Sequence, residues 1–372
     1  MAKINVMKKI IFLLSFILIY HLSFSQCNSR YDTEIFSSVT KTTVNYSDIY
    51  TDNEHEMDVY TPDGDTETNR PLILFMHGGS FTGGSKELID CVDFCESFAK
   101  RGYVTASVNY RLASNPINFM LDQELQYRTV FKAIADIKSA IRYFRKDYNN
   151  GNTYNIDENT IFIGGTSAGG VIAVHLAYVD NISDLPTSPI DVQSIANSLG
   201  GLEGDAGNDG YSSQVSGVIS FAGGINDINW IDNLDEPLVS IQGDADVIVN
   251  YNCGPGQGVA TILTLCGTAE MHPQADAVGL INNNLVYPGE GHTWFVSGNS
   301  NSKFTQAVEF TKDFLYPLLP CNSTTNISVI NLTEKKLFKI VDILGREVEQ
   351  TTNQTLFYIY TNGEVEKRIS IN

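Results

Sequence analysis

Ser167 stands in the run Ile163-Gly-Gly-Thr-Ser-Ala-Gly-Gly170, and its neighbours are those a reactive serine needs. The core of the run is Gly165-Thr-Ser167-Ala-Gly169, with a short apolar segment before it and a longer one after it. That is the strand–turn–helix setting of a nucleophile elbow. A serine presented on so sharp a turn needs backbone to pass close by, and Gly165 and Gly169 carry no side chain to obstruct it. At the start of a helix, the serine also meets the dipole end that favours developing negative charge. The chemistry is attack of a serine oxygen on a carbonyl carbon. A second Gly-rich run, Met76-His-Gly-Gly-Ser-Phe-Thr-Gly-Gly84, also follows an apolar segment. Its backbone N–H groups are free to point at an oxyanion, and the donors expected are the amides of Gly79, Ser80 and Ala168. His77 in this loop reads as a structural, hydrogen-bonded residue.

A hydroxyl needs a base to take its proton, and the base needs a carboxylate to orient it. The chain has 6 histidines. His21 lies in the N-terminal leader described below, His55 precedes the first core strand, and His175 sits two turns into the helix after Ser167. His272 lies in a long loop. His292, in Tyr287-Pro-Gly-Glu-Gly-His-Thr-Trp-Phe295, follows the last expected strand and precedes the last expected helix. Gly289 and Gly291 let that loop turn the imidazole inward, so His292 is the expected base. For the carboxylate, Leu238-Val-Ser-Ile-Gln-Gly-Asp-Ala-Asp246 offers Asp244 and Asp246 at a strand end. Phe81 and Trp294, with Phe119 and Trp230, are candidates to line an apolar substrate pocket. No Cys/His cluster has zinc spacing, no phosphate-binding lysine follows the glycine run, and Glu203–Asp209 lacks the spacing of an EF-hand. Neither metal nor cofactor is expected.

Positioning these groups requires strands that end on one edge of a sheet. Met57–Thr61, Pro71–Met76, Val104–Tyr110, Thr160–Ile163, Val215–Phe221, Pro237–Gln242 and Leu285–Tyr287 read as strands. Helices are expected at Leu88–Lys100, Leu121–Tyr148, Ala168–Tyr178 and Phe304–Leu315; the second carries Val130, Ile134, Ile137, Ile141 and Phe144 as an apolar stripe. Alternation of helices with continuously apolar strands predicts an α/β fold with a mostly parallel sheet covered on both faces. Two stretches, 181–213 and 251–276, are polar, Gly-rich and long for connectors, which suits lids or binding loops.

The whole chain has 372 residues, 42% of them hydrophobic, ample for a core. Its 24 basic and 43 acidic residues leave a net charge of −19, which argues against nucleic acid or an anionic membrane surface as partner. Residues 1–25 have the charged, apolar, small-residue order of a cleaved signal peptide, and the apolar run is too short for stable membrane insertion. Gln26 before Cys27 speaks against a lipid anchor. Cleavage removes Lys3, Lys8 and Lys9 and no acid, which takes −19 to −22. All 6 cysteines remain and meet an oxidising compartment. Cys253 and Cys266, bracketing a short Gly-rich segment, are the expected disulfide; Cys91 and Cys95, one helical turn apart, are within geometric reach of each other. Residues 26–321 form the expected principal domain, 322–326 a linker, and 327–372 a small all-β appendage with a hairpin turn at Asn362-Gly363.

Two resemblances follow. Ser167, Asp246 and His292, in that order with the His77–Gly84 loop upstream, resemble the α/β-hydrolase superfamily near its carboxylesterase and hormone-sensitive-lipase-like branches. The resemblance spans roughly residues 40–320. It implies a central, mostly parallel sheet flanked by helices, and ester hydrolysis by the serine. It also selects Asp246 over Asp244, since such hydrolases read Gly-x-x-Asp before a short apolar run. The expected substrate is a small-molecule or polymer-linked ester. The Gly-His-Thr-Trp stretch is similar to secreted polyester depolymerases and feruloyl esterases, and a serine exopeptidase on the same triad is the alternative. A non-catalytic binding protein would typically have lost the serine or the histidine. At the other end, Val341-Asp-Ile-Leu-Gly-Arg-Glu-Val348, Phe357-Tyr-Ile-Tyr-Thr-Asn-Gly363 and Val365–Ile371 resemble the C-terminal sorting domain of type IX secretion substrates. That resemblance implies the type IX machinery as partner and export through the periplasm of a Gram-negative bacterium.

Overall fold

The computed structural model describes residues 27, 29–321, 337–341, 348, 355–360 and 365–369. The expected signal peptide and linker lie outside the described residues, as does much of the C-terminal appendage. The chain separates into two compact units, one of them Gln26–Pro320.

Ten strands belong to that unit: β1 (Val39–Asn45), β2 (Glu56–Pro62), β3 (Arg70–Met76), β4 (Val104–Val108), β5 (Ile156–Thr166), β6 (Gly217–Phe221), β7 (Leu238–Gly243), β8 (Cys253–Pro255), β9 (Thr264–Cys266) and β10 (Asn282–Tyr287). The helices are α1 (Ile89–Lys100), α2 (Pro116–Leu121), α3 (Gln123–Asn149), α4 (Ala168–Tyr178), α5 (Val192–Ser198), α6 (Thr268–Val278) and α7 (Ser302–Leu315). Eight strands form one sheet in the order β1-β2-β4-β3-β5-β6-β7-β10. β1, β2 and β4 pair antiparallel, and every pair from β4 to β10 is parallel. The α/β architecture expected from the sequence is the one observed.

Strands β3, β4, β6 and β7 are buried at every position, which is why they read as mostly apolar runs, interrupted by small polar residues such as Thr105, Ser107 and Ser240 and by Gln242. Successive side chains of β3 serve opposite faces. Leu72, Leu74 and Met76 join one core with Ala133, Ile137 and Ile141 of α3 and with Val171 and Val174 of α4. Phe75 points the other way and stacks on Phe94 of α1, ring centroids 3.8 Å apart.

Several elements depart from expectation. The helix expected over Leu121–Tyr148 is α3, which starts at Gln123, and a short helix that was not expected, α2, precedes it. Asp122 leaves the helical region (φ −124°, ψ 105°) and its carboxylate accepts the N–H groups of Glu124 and Leu125, so it caps α3 rather than continuing α2. β1 escaped the pattern because four of its seven positions are exposed. β10 is longer than read, since Asn282-Asn283-Asn284 opens an edge strand that need not be apolar.

Stretch 251–276 is no simple loop. It contains the β8–β9 hairpin, closed by the expected Cys253–Cys266 disulfide, and the start of α6. His272 is therefore helical and buried, its Nδ1 2.6 Å from Asn282 Oδ1; Pro273 inside α6 hid the helix from pattern reading. Stretch 181–213 carries α5, and its Leu185, Val192 and Ala196 form an apolar cluster with Val179 at the end of α4. Its acidic end is stitched to α3: Arg142 donates to the Gly207 and Glu203 carbonyls and pairs with the Glu203 carboxylate at 2.9 Å. Cys91 and Cys95 are buried free thiols, not a disulfide. Cys27 and Cys321 are each disulfide-bonded.

In the second unit β11 (Leu337–Val341), β12 (Thr355–Tyr360) and β13 (Val365–Ile369) form an antiparallel sheet in that order, with Leu356 and Tyr358 buried against Ile340 and Val348. These strands fall within the expected appendage.

Candidate active site

Parallel strands end on one edge, so their C-terminal loops meet there. The loop after β3 carries His77–Gly84, β5 runs into Ser167, β7 into Asp246 and β10 into His292. The sheet order brings these four loops together although the chain separates them.

Ser167 is the non-helical residue between β5 and α4, with φ 53° and ψ −115°. Its N–H donates to Phe221 O at 2.7 Å and its carbonyl accepts from Val171 N at 2.9 Å, so neighbouring strand and helix hold the turn from both sides. The glycines are there for space. A Cβ on Gly169 would lie 2.2 Å from Met76 O, and one on Gly165 2.5 Å from the same atom. The end of β3 thus packs directly against the turn.

His292 Nε2 lies 2.7 Å from Ser167 Oγ, and its Nδ1 lies 2.8 Å from Asp246 Oδ2. Asp246 is 3% exposed, and its other oxygen accepts the N–H groups of Ile248 and Val249 at 2.9 and 3.1 Å. Gln242 Nε2 approaches Oδ2 at 3.3 Å and donates to Val249 O at 2.8 Å. This buried glutamine, which pattern reading passed over as a strand residue, fixes the carboxylate from below. Asp244 is exposed and accepts the Gly289 N–H at 2.6 Å, so it holds the His292 loop without touching the imidazole. With the carboxylate on Nδ1, the imidazole keeps its proton there and presents the Nε2 lone pair to the serine.

Gly79 (φ 124°), Ser80 (φ 54°) and Phe81 (φ 60°) all adopt left-handed backbone, and a Cβ at Gly79 would lie 2.0 Å from Gly83 O. Among the described residues, none of the N–H groups of Gly79, Ser80 and Ala168 is spent on a backbone acceptor. As the first residue of α4, Ala168 has no acceptor within its own helix. His77 is buried under this loop, its Nδ1 2.6 Å from Gly78 O and its ring stacked on Tyr110. Burial pushes its imidazole down to about 4, so it is neutral and structural. His175 is likewise buried and pushed down by desolvation; its Nδ1 donates to Val171 O and its Nε2 accepts the Asn226 N–H.

Beside Ser167 opens a mostly apolar cleft, walled by Phe81, Phe119, Val171, Ile248, Val249 and the 256–265 segment of the β8–β9 hairpin. Of the four aromatic candidates, Phe81 and Phe119 line it. Trp230 lines a neighbouring cavity. Trp294 is not in the cleft: it is 3% exposed and packs among Phe221, Tyr287 and Phe295, on the core side of the His292 loop. An aromatic two residues from the base looks the same in sequence whether it faces substrate or core.

Gln126 is a further pocket residue that the sequence did not single out. It is 2% exposed, and its amide bridges three walls, donating to Phe119 O at 2.8 Å and Thr261 O at 3.1 Å and accepting from Leu263 N at 2.9 Å. Among the described residues, no group of His, Cys, Asp and Glu side chains has the arrangement of a metal site, and no helix is long and apolar enough to cross a membrane.

The BD-FAE family profile matches residues 57–255. No curated protein gives a sequence match. Among solved structures, Thermogutta terrifontis esterase 2 phosphorylated by paraoxon is similar with a TM-score of 0.54 at 21% identity, over 74% of this chain and 93% of that one. A truncated carbohydrate esterase from gut microbiota has a TM-score of 0.54 at 20% identity, over 77% and 97%. The propionate-bound form of the Thermogutta esterase gives 0.53 at 20%, over 74% and 93%. The fold is that of the α/β-hydrolases, and with its sequence match running from β2 to β8 the chain belongs to the BD-FAE family of esterases.

Proposed function

We propose that this protein is a serine carboxylesterase that works through an acyl-enzyme. The observation that carries the reading is the chain Ser167 Oγ–His292 Nε2 and His292 Nδ1–Asp246 Oδ2, at 2.7 and 2.8 Å, at the mouth of an apolar cleft. Ser167 Oγ adds to the ester carbonyl carbon while its proton passes to His292 Nε2. Negative charge develops on the carbonyl oxygen and rests on the amides of Gly79, Ser80 and Ala168, already oriented by the strained loop and the helix start. The imidazolium, held by Asp246, returns the proton to the departing alcohol oxygen. Water then enters, loses a proton to His292 and releases the acid.

The test is Ser167→Ala assayed on p-nitrophenyl acetate. Loss of about 10⁴-fold or more in kcat, with melting temperature unchanged within ~2 °C, is expected. Retained activity overturns the assignment. Paraoxon, which phosphorylates the Thermogutta esterase, should inactivate the wild type one-to-one and leave Ser167→Ala unlabelled.

The reading extends to where the enzyme acts. The leader-like residues 1–25, the resemblance of the tail to type IX sorting domains and the disulfides support an enzyme exported across the outer membrane. Expression with and without residues 322–372 in a type IX-competent host tests this, the tailless form being expected to stay in the periplasm.

A further inference from the structure

The ester cleft has a neighbour. A second, mostly apolar cavity lies along the seam between α3 and α4, and Val130 and Asn226 line both spaces. The two helices step through them in register. On α3, Gln126 faces the first cavity, Val130 both, and Ile134 the second; on α4, Val171 faces the first and His175 the second, as does Val179 just past the helix end. Each step is four residues, about 6 Å along the axis at 1.5 Å per residue. The far wall, Leu185, Val192 and Leu202, comes from the 181–213 insertion and its own small apolar cluster.

We infer that the two cavities form one bipartite acyl site, and that the preferred substrates are esters of elongated, mostly unbranched apolar acids. This rests on the serine esterase reading above. The direction of the acyl group follows from the walls. Ser80 and Ala168, whose amides receive the oxyanion, line the first cavity, whereas His292, which must reach the leaving alcohol, does not. The alcohol therefore departs on the His292 side and the acyl group extends along α4. From Ser167 to the level of His175 is eight residues, about 12 Å of helix, on the order of ten carbons.

The lining suits an uncharged tail. His175 and Asn226 satisfy each other, Asn226 Nδ2 is bound to Thr264 O at 2.6 Å, and Trp230 Nε1 donates to Asp184 O at 3.2 Å. The one cation, Lys138, is paired with Glu203 at 3.0 Å. On this reading the acyl chain must pass Val130, which borders both spaces.

The experiment compares p-nitrophenyl acetate, butyrate, octanoate and decanoate on the wild type and on Val192→Trp, which fills the far chamber from the insertion side. The wild type should show kcat/KM rising to octanoate or decanoate, and Val192→Trp should lower the decanoate-to-acetate ratio at least ten-fold. A wild-type kcat/KM falling steadily from acetate, or a ratio untouched by the substitution, overturns the inference. Val130→Trp, which blocks the passage from α3, gives the same readout should Val192→Trp not fold. Binding of decanoate against acetate to Ser167→Ala by calorimetry reads the chamber without chemistry. Decanoate binding that Val192→Trp abolishes, in a protein that hydrolyses no ester, leaves the chamber standing and removes the catalytic reading. Hydrolysis of acetate with no decanoate binding does the reverse.

Discussion

Asp246 divides its two oxygens between different tasks: Oδ1 takes the N–H groups of Ile248 and Val249, and Oδ2 takes His292 and Gln242. An asparagine there keeps the turn if its oxygen stays on the two amides, and its Nδ2 then faces the imidazole. A donor at that point obliges His292 Nδ1 to accept, which moves the ring proton to Nε2 and leaves no lone pair for Ser167. Asp246→Asn should therefore fold normally and lose about 10⁴-fold in kcat with KM little changed. Steady-state kinetics beside a thermal melt separates that outcome from a general loss of structure. At this scale much of the site was legible in sequence, because Ser167 and His292 sit where a strand–turn–helix and a strand–glycine–helix pattern place them. Trp294, Gln126 and Gln242 were not legible. Their roles depend on which way a buried side chain faces and on partners more than 130 residues away in the case of Gln126, whose bonds reach Thr261 and Leu263.

Elements, rather than single residues, decide the shape of the cleft. The 256–265 segment is closed at its base by Cys253–Cys266 and bolted to α3 by Gln126 and to α2 by the bond from Thr261 Oγ1 to Met120 O at 2.7 Å. Gln126→Leu leaves Phe119 O, Thr261 O and Leu263 N without their partner; the first of these bonds is buried, where an unmet group costs about 1–3 kcal/mol, and the other two are part-buried and cost less. A loss of several degrees in melting temperature and a rise in KM larger than any fall in kcat are expected, measured by calorimetry and by ester kinetics. A change in kcat alone would mean that Gln126 does not shape the cleft. The apolar central strands were readable from sequence because burial on both faces leaves them one composition. The edge strands β1 and β10, the hairpin and α6 were not, since exposure, glycine and Pro273 each erase the periodic signal.

Across the whole molecule, acidity bears on stability as well as on partners. Burial raises the carboxyls of Asp235 and Glu236 to about 7, and neighbouring Asp180 adds to the shift in both. In the unfolded chain such groups titrate near ~4. Between about pH 4 and pH 7 the folded state therefore holds more protons than the unfolded one, and stability falls as pH rises through that window. Buried His77 and His175, held below the ordinary imidazole range, act with the opposite sign, so the test is a difference: the wild-type melting temperature should fall relative to that of Asp235→Asn combined with Glu236→Gln as pH rises from 5 to 8. A difference that stays constant over that range would refute it.

The sheet order has a further consequence, for the moment at which this protein becomes active. Ser167 and His292 are 125 residues apart in the chain, and the last strand before His292 is the outermost of the parallel set. At about 5–20 residues per second, a ribosome that has completed the serine turn needs roughly 6–25 seconds more to make its base. The nascent chain thus carries Ser167 before its proposed base exists, and on the proposed mechanism a product truncated before His292 should hydrolyse no ester. The site can assemble only once β10 and the loop after it have left the ribosome.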